Sequence, residues 1–406
     1  MAKNKVGFEV IEKFLEGRDP QKYIVSIEAS YHEPFVSLII NDPDRGKFIE
    51  KHSYSPFLWM KHSVSDIIYN GKRSDIKSAM TKYGVKIKAL TIEDGDGNIP
   101  ERFEDGYKFM ANCNDVHRFQ FDLETMGLDG SVSPIFQIGI RDNRGFELIL
   151  ETKGDTEAEK RDSERENILT FFEAIERICP DIITGYNSEN FDWPYLVKRC
   201  SRLGIDITRI AKTLNKKHKI RWKDSMIKLG GESEYYKQTM MWGFNVLDIS
   251  HSVRRAQAIN SNIKRWSLKY ITEYSGVAKS NRVYVPGDMI YTIWADTRDY
   301  WFNDDDGSYG FLDSLKEKQG DISDKTVDQL LEMGGLTRVS GAYIVQRYLK
   351  DDLWETEQVD SIYNQAAYLI AKLLPTSYMR SSTMGTAGQW KLIMASWSYE
   401  QGLGIP

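Results

Sequence analysis

Two acidic residues that are two positions apart are the first sign of chemistry in the sequence. In the segment FQFDLET, Phe119, Phe121 and Leu123 alternate with polar residues, which is the periodicity of a β-strand. Asp122 and Glu124 therefore lie side by side on one face of that strand. Carboxylates at this spacing repel each other, and a divalent cation removes the repulsion. The pattern also fits an exposed acidic strand face, so the pair alone is a weak indication of a metal site.

A third carboxylate stands in an apolar setting. Asp192 lies between Phe191 and Trp193 in the segment GYNSENFDWPYL, where a strand is predicted to give way to a helix. Burial of a carboxylate there costs free energy unless the group caps the helix or binds a cation. The strand DIITGY and the turn after it place Asp192 within reach of the first strand's carboxylates. We therefore expect Asp192 to be the third carboxylate of a metal site, with Asn187 placed to hydrogen-bond a substrate.

The rest of the composition limits the choice of metal. Cys113, Cys179 and Cys200 never occur at CxxC spacing, and the six histidines are scattered along the chain. This usage disfavours a structural zinc site and indicates a reducing cytoplasm. A metal would have to be held mostly by carboxylates, so Mg²⁺ or Mn²⁺ is the expected ion.

The elements around these carboxylates predict an α/β domain. Three antiparallel strands (FQFDLET, SPIFQIGIRD and GFELILE) precede a helix in SERENILTFFEAIERICP, for which Ser163 is the predicted cap. Another strand and another helix follow, and Gly204 ends the second helix. This order predicts a ribonuclease-H-like domain, which is a mixed sheet with flanking helices.

The 406 residues are too many for one ordinary core, so a second domain is expected. Residues 1 to 115 have the pattern of a smaller α+β domain, with strands in KYIVSIEASY and FVSLIIND and a helix in SDIKSAMTKYG. The segment DGDGNIPERFED is interpreted as a turn, because Ile99 replaces the glycine that a calcium loop requires.

Charge and hydropathy limit the kinds of partner. The net charge of −5 does not by itself indicate nucleic acid, but the segment KTLNKKHKIRWK is strongly basic. A solvated face and a DNA-binding surface fit that segment about equally well. Its candidate DNA-binding residues are Lys216, Lys217, Lys219, Arg221 and Lys223. No apolar run approaches the roughly 20 residues of a membrane span, and no signal peptide is visible, so a cytoplasmic protein is predicted.

The motifs FDLET and GYNSENFDWPYL resemble the first two exonuclease motifs of family B DNA polymerases, a group that includes many phage replicases. The third motif of that family is Tyr, three intervening residues and Asp. It occurs three times here, as Tyr300 with Asp304, Tyr309 with Asp313, and Tyr348 with Asp352. We choose the last pair because it lies in a long segment of strong helix formers, where residues four apart share one face. A sister class has His where Arg347 stands, so the chain resembles the Tyr class of these exonucleases.

The resemblance implies a 3′–5′ exonuclease that hydrolyses the 3′-terminal phosphodiester of DNA with two Mg²⁺ or Mn²⁺ ions. The implied metal ligands are Asp122, Glu124, Asp192 and Asp352, of which Asp122 bridges the two ions and Asp352 helps to hold the ion that bears the nucleophile. Tyr348 would orient the attacking water. Asn187, Phe191 and Thr125 would bind the terminal nucleotide. A mismatched end would reach the site more often, because it unpairs at lower cost.

The resemblance also divides the chain into three parts. Residues 1–115 correspond to the N-terminal domain, residues 116–368 to the exonuclease domain, and residues 369–406 to a segment that returns to pack on the N-terminal domain. The basic segment and the residues after it fall where the family carries a β-hairpin, with Gly230 and Gly231 suited to its tip. Asp248 matches a recurring aspartate of the family, and we interpret it as structural.

The polymerase palm motifs do not occur in these 406 residues, so we expect a polymerase half elsewhere, on a separate chain or on a longer form of this one. Primer–template DNA and single-stranded 3′ ends are the expected partners, with a sliding clamp as a further candidate and no membrane. The segment 281–347 is longer than is usual for the family. Two alternatives stay open: a stand-alone 3′–5′ exonuclease for DNA or RNA, and a non-catalytic nucleic-acid-binding subunit of a replisome. The complete acidic set disfavours the second.

Overall fold

The structure is a computed structural model. It describes residues 23–29, 35–42, 45–53, 57–62, 68–72, 87–93, 116–214, 219–229, 232–315, 326–368, 378–390 and 393–394. The helix predicted in SDIKSAMTKYG, the turn in DGDGNIPERFED and the glycines at the predicted hairpin tip lie outside these residues. Within the described part of the chain, no helix is both long and apolar enough to cross a membrane.

Six strands come from the N-terminal part and form two antiparallel sheets of three strands each. The strands are β1 (Tyr23–Ala29), β2 (Phe35–Asp42), β3 (Gly46–Ser53), β4 (Phe57–His62), β5 (Ile68–Lys72) and β6 (Ile87–Glu93). The first sheet has the order β1-β2-β3 and contains both strands predicted for this region, and the second has the order β5-β4-β6. On β3, Lys47 Nζ lies 2.9 Å from Asp181 Oδ1, which joins this part of the chain to the domain that follows.

A five-stranded mixed sheet forms the centre of the next domain, with the order β13-β10-β7-β8-β9. Its strands are β7 (Arg118–Thr125), β8 (Ile135–Asp142), β9 (Glu147–Glu151), β10 (Ile182–Gly185) and β13 (Asn245–Asp248). The strands β7, β8 and β9 form an antiparallel meander, whereas β10 runs parallel to both β7 and β13. This arrangement confirms the predicted ribonuclease-H-like fold.

Helices cover the sheet and follow it in the chain. They are α1 (Glu157–Ile178), α2 (Asp192–Arg202), α3 (Ile207–Ile210), α4 (Ile249–Ile259), α5 (Leu268–Tyr274), α6 (Ile290–Trp294), α7 (Val327–Gly334), α8 (Gly341–Tyr363) and α9 (Tyr378–Thr383). An aromatic core lies between β7, α1 and α2, where the ring of Phe121 lies 5.1 Å from the rings of both Phe171 and Trp193. Anchoring Trp193 in this core fixes the start of α2, and therefore the position of Asp192.

The predicted cap of α1 was wrong. The helix begins after Thr156, whose hydroxyl accepts a hydrogen bond from the Glu159 amide while the Glu159 carboxylate accepts one from the Thr156 amide. Ser163 lies within the helix, and its hydroxyl accepts a hydrogen bond from the Lys153 amide instead. The prediction started from the apolar residues, but the first turns of α1 are charged and carry no apolar period. The reciprocal capping pair fixes the start of the helix even though no apolar periodicity marks it.

Two further substructures follow the sheet. The predicted hairpin is present as β11 (Arg221–Leu229) paired antiparallel with β12 (Glu232–Met240). The long segment 281–347 contributes a small sheet with the order β15-β14-β16, made of β14 (Asp299–Phe302), β15 (Tyr309–Phe311) and β16 (Thr337–Ser340). The helix α8 begins directly after β16, with Ser340 as its N-cap, and packs against β7 and β8.

Candidate active site

Three carboxylates from two elements meet beside the central sheet. Asp122 and Glu124 leave the same face of β7, as their spacing predicts. Asp352 comes from the middle of α8, which packs across that strand. One carboxylate oxygen from each of the three residues lies within 4.8 Å of the other two. The helix therefore closes a cluster that the strand alone leaves incomplete.

The fourth predicted ligand, Asp192, lies close by but outside this group of three. It is the first residue of α2 and is 2% exposed. Phe191 occupies the N-cap position without a side-chain cap bond, so Asp192 does not cap the helix. Among the described residues, the Asp192 Oδ1 atom has no hydrogen-bond partner. Burial and the Asp122 carboxylate raise the pKa of Asp192 well above its ordinary range.

The electrostatics of the cluster fit a divalent cation. Burial, and then the Asp352 carboxylate, raise the pKa of Asp122 to about 8. Burial, and then the Asp122 carboxylate, raise the pKa of Glu124 well above its ordinary range. Carboxylates in this state hold protons unless a cation replaces them. Because the donors are all carboxylate oxygens, the set fits Mg²⁺ or Mn²⁺ rather than a metal that prefers sulfur or nitrogen.

Tyr348 lies one helical turn before Asp352 on α8 and is 6% exposed. Burial, and then the Asp352 carboxylate, raise the pKa of Tyr348 above the ordinary range of a phenol. The hydroxyl is therefore protonated at neutral pH and can donate a hydrogen bond towards the cluster. The two rejected Tyr–Asp pairs lie elsewhere: Tyr300 is in β14, with its hydroxyl donating to Asp296, and Tyr309 is in β15.

Two cations beside the carboxylates were missed by the sequence analysis. The side chain of Arg282 is completely buried, with Nη2 lying 2.5 Å from Asp352 Oδ1 and Nη1 lying 2.6 Å from Glu355 Oε2. Lys269, on α5, places its Nζ atom 4.6 Å from the centre of the Tyr348 ring. Neither residue belongs to a local motif. The acidic residues that flank Asp352 on the same helix, such as Glu355, are a signal that could have indicated a cation there.

The loop that leads into α2 is held by Asp248. Its Oδ1 atom accepts a hydrogen bond from the Asn187 amide (2.9 Å), and its Oδ2 atom accepts one from the Glu189 amide (3.1 Å). The same carboxylate caps α4 by accepting from the Ser250 amide. These bonds hold Asn187 at a φ of +62°, a left-handed conformation that asparagine tolerates better than most residues. The geometry therefore agrees with a structural interpretation of Asp248.

The same loop is joined to the hairpin. The buried Glu189 side chain accepts hydrogen bonds from both the amide and the hydroxyl of Thr239 on β12. Burial raises the pKa of Glu189 to about 8. The base of the hairpin and the loop before Asp192 therefore form one hydrogen-bonded unit.

The predicted substrate-binding residues flank the carboxylates. The Asn187 side-chain oxygen accepts a hydrogen bond from Asn190 Nδ2 at 3.1 Å. The half-buried ring of Phe191 lies 5.3 Å from the ring of Tyr195. Thr125 follows Glu124 directly, and its hydroxyl donates to the Gly127 carbonyl at 2.9 Å. All three residues adjoin a predicted metal ligand in the chain or share its loop.

The predicted DNA-binding residues lie on and before the hairpin. Lys216 and Lys217 are outside the described residues. Lys219, Arg221 and Lys223 are exposed, and Arg221 begins β11 at the base of the hairpin, where it pairs with Met240. The cations that adjoin the carboxylates are instead Lys269 and Arg282. A DNA-binding role for the basic segment therefore stays a prediction.

Comparisons with known proteins agree with this fold and its motifs. Residues 108–271 match the family model described as DNA polymerase family B, exonuclease domain. A DNA polymerase of Pyrococcus horikoshii is 38% identical over 190 residues, which are 45% of this chain and 15% of that protein. DNA polymerase 2 of Aeropyrum pernix is 26% identical over 185 residues, which are 45% of this chain and 19% of that protein.

A solved structure has a similar fold. The family B DNA polymerase from Pyrobaculum calidifontis superposes with a TM-score of 0.55 at 15% sequence identity. The match covers 94% of this chain and 50% of that chain, so this chain corresponds to about half of the solved polymerase. The relatives named here are archaeal, and a phage origin stays a prediction. The motifs around Asp122 and Asp192 lie within the matched segment, and residues 108–271 are therefore similar to the exonuclease domain of family B DNA polymerases.

Proposed function

We propose that this protein is a 3′–5′ exonuclease that hydrolyses the 3′-terminal phosphodiester bond of DNA. The observation that carries the proposal is the meeting of Asp122, Glu124 and Asp352, which come from two separate motifs but lie within 4.8 Å of one another. The buried Asp192 Oδ1 atom, which has no hydrogen-bond partner among the described residues, supports a fourth ligand near this cluster. A chance set of acidic residues would be expected to lie apart and exposed.

Each carboxylate has a distinct role in this proposal. Asp122 shares the cluster with Glu124 and Asp352 and would be a ligand of both ions. Glu124 and Asp192 would complete the ligand set, and Asp352 would help to hold the ion that bears the nucleophile. Bound Mg²⁺ or Mn²⁺ would neutralise the phosphate, lower the pKa of a bound water and stabilise the leaving 3′ oxygen. The protonated Tyr348 hydroxyl would orient the attacking water by a hydrogen bond.

The loop around Asn187 would bind the substrate. Asn187 and Phe191 would hold the terminal nucleotide, one by hydrogen bonds and the other by stacking, and Thr125 would contact it from the end of β7. None of these groups needs to read the base, so the site selects frayed ends, and a mismatched terminus frays at lower cost. This behaviour is what proofreading requires.

We further propose that the chain works with a polymerase half, either within a longer polypeptide or as a separate subunit. The division into residues 1–115, 116–368 and 369–406 belongs to this proposal, as do primer–template DNA and a sliding clamp as partners. The domain would act in the cytoplasm. Stable binding of this chain to a separately produced polymerase half would support the two-subunit form.

Degradation of a 5′-labelled, mismatched primer–template by the purified chain with Mg²⁺ tests the proposal. We expect a 3′–5′ ladder that disappears in EDTA, in the Asp122→Ala, Glu124→Ala double variant and in Asp352→Asn. The matched control is Asp313→Asn, because Asp313 belongs to a rejected Tyr–Asp pair and is exposed. A ladder lost in the control and kept in Asp352→Asn would mean that the third motif was chosen wrongly. No ladder with either metal, from folded protein, would contradict the proposed activity of this chain.

A further inference from the structure

The residues just before the small sheet are fixed to α8 beside Asp352. The buried Asp351 carboxylate accepts hydrogen bonds from Lys279 Nζ (2.8 Å) and from the Val283 amide (3.0 Å). Between these two contacts, Arg282 reaches Asp352 and Glu355. We call residues 279–284 the bracing segment. It brings a buried guanidinium to Asp352, which is a proposed metal ligand, and to Glu355 on the next turn of the same helix.

The turn between β14 and β15, residues 303–308, supports the bracing segment from the other side. Asn281 Nδ2 donates a hydrogen bond to the carbonyl of Asp304 in this turn at 3.0 Å. Gly307 has a φ of +72°, and a Cβ atom there would lie 2.6 Å from the carbonyl oxygens of both Asn281 and Arg282. The turn therefore lies in direct contact with the backbone that carries the Arg282 side chain.

A third contact completes this support. The Tyr309 hydroxyl, at the start of β15, donates a hydrogen bond to the carbonyl of Tyr284 at 3.0 Å. The small sheet thus contacts the bracing segment before, at and after Arg282. On its other side β14 pairs with β16, and Ser340 at the end of β16 caps α8. The same sheet therefore contacts both the bracing segment and the start of the helix that carries Asp352.

We propose that the turn 303–308 is a positioning element for the active site, acting through Arg282 on Asp352. The inference rests on the proposed function, because it assigns Arg282 as a positioning residue for a ligand of that same site. The physical reason is geometric. The guanidinium is planar and presents its donors in a fixed fork, so it can hold Asp352 in one orientation only if its own backbone is held still. Supporting groups of this kind commonly decide how well a ligand set binds its metal.

This assignment gives the long segment 281–347 a role. The acidic residues of the turn are exposed. The turn instead supports the site through Gly307, which lets it approach the backbone of Asn281 and Arg282 closely. The small sheet lies between Asp192 and Asp352 in the chain. It then serves to hold Asp352 in position relative to the three ligands that precede it.

The test compares two glycines of the same segment that share a left-handed backbone. Gly307→Ala places a methyl group against the backbone of Asn281 and Arg282. Gly335→Ala is the matched control, because Gly335 has a φ of +61° and no atom within 4 Å of an added Cβ. Both glycines have a similar left-handed φ, so a difference between the two variants reports the contact with the bracing segment.

Two readouts are made on the full chain. Mn²⁺ binding is followed by electron paramagnetic resonance, and amide hydrogen exchange is followed over residues 348–355. We expect Gly307→Ala to bind Mn²⁺ about 10-fold to 100-fold more weakly than the parent and to exchange faster in that helix. Gly335→Ala is expected to match the parent in both. Combined with Arg282→Lys, Gly307→Ala should add little further loss, since both changes act through one side chain.

The outcomes separate this inference from the proposed function. Equal Mn²⁺ binding and equal exchange in the two glycine variants would overturn the positioning role, even if the parent is an active exonuclease. Independent, additive losses of Mn²⁺ affinity from Gly307→Ala and Arg282→Lys would overturn the path through Arg282.

A folded parent that binds no Mn²⁺ would contradict the proposed function, and the exchange comparison would still decide whether the turn restrains α8. If Gly307→Ala does not fold, Asn281→Ala removes one contact of the turn and is judged by the same readouts.

Discussion

Replacing Asp122 by Asn should stabilise the metal-free protein at alkaline pH, although it removes a proposed metal ligand. In the folded state the pKa of Asp122 is raised from 3.8 to about 8 by burial and by the Asp352 carboxylate. A carboxyl group with a raised pKa binds its proton more tightly when folded than when unfolded. Its contribution therefore favours folding at low pH, and stability falls as the pH rises from 3.8 towards 8.

The size of the effect follows from that shift. Each pKa unit corresponds to about 1.4 kcal/mol, so the full shift would correspond to about 6 kcal/mol at pH 8. Asp122 is only partly buried, and it is one of several carboxylates that repel one another. Replacing Asp122 alone therefore raises the free energy of unfolding by less than the full amount. We expect Asp122→Asn to raise the free energy of unfolding in EDTA by about 2 kcal/mol or more at pH 8, and by clearly less at pH 5, which is only about one unit above the unfolded pKa.

Urea unfolding in EDTA at pH 5 and pH 8 measures this gain, with Asp313→Asn as the control for removing an exposed carboxylate. Saturating Mg²⁺ should reverse the order of stability at pH 8, because metal bound only to the folded state stabilises the parent more than the variant. An Asp122→Asn variant that is destabilised equally at both pH values in EDTA would refute the reasoning. In that case neither burial nor the Asp352 carboxylate would raise the pKa of Asp122 in the folded protein.

Three further changes test the local structure. Thr156→Ala should lower the free energy of unfolding by about 1 kcal/mol, whereas Ser163→Ala should change it by less than about 0.5 kcal/mol, as measured by urea unfolding. Asp248→Ala leaves the amides of Asn187 and its neighbours without their acceptor, so stability should fall by about 3 kcal/mol in the same assay. Tyr348→Phe should lower the turnover number about 100-fold with little change in KM and an unchanged melting temperature, because only the orientation of the water is lost. A Tyr348→Phe variant with parental turnover would remove that residue from the mechanism.

The sequence predicted the elements whose signals are local. The alternation around Asp122 and Glu124 fixed a strand and the shared direction of the two carboxylates, and both are as expected in β7. The helix formers around Asp352 selected one of three candidate motifs, and that helix does bring its carboxylate to the strand. Short-range periodicity carries this information because it depends only on the nearest neighbours along the chain.

The features that escaped prediction depend on distant contacts. Arg282 lies 70 residues before Asp352, and no local pattern indicates that its guanidinium is buried beside that carboxylate. Lys269 reaches Tyr348 in the same way, through the packing of α5 against α8. The start of α1 after Thr156 was not predicted for a different reason. Its capping pair lies in a charged stretch where no apolar periodicity marks the helix. A buried acid on a helix face, such as Glu355, is the one signal that could have indicated a missing cation.

In the proposed mechanism, the carboxylate cluster would hold the metal ions that support hydrolysis of the terminal phosphodiester. The most direct measurement replaces one non-bridging oxygen of that phosphodiester by sulfur and follows cleavage with Mg²⁺ and with Mn²⁺. Mg²⁺ binds oxygen in preference to sulfur, whereas Mn²⁺ accepts sulfur more readily. We expect one phosphorothioate isomer to be cleaved slowly with Mg²⁺, and Mn²⁺ to restore the rate. Equal rates for oxygen and sulfur with Mg²⁺, in both isomers, would contradict a metal bound to the scissile phosphate.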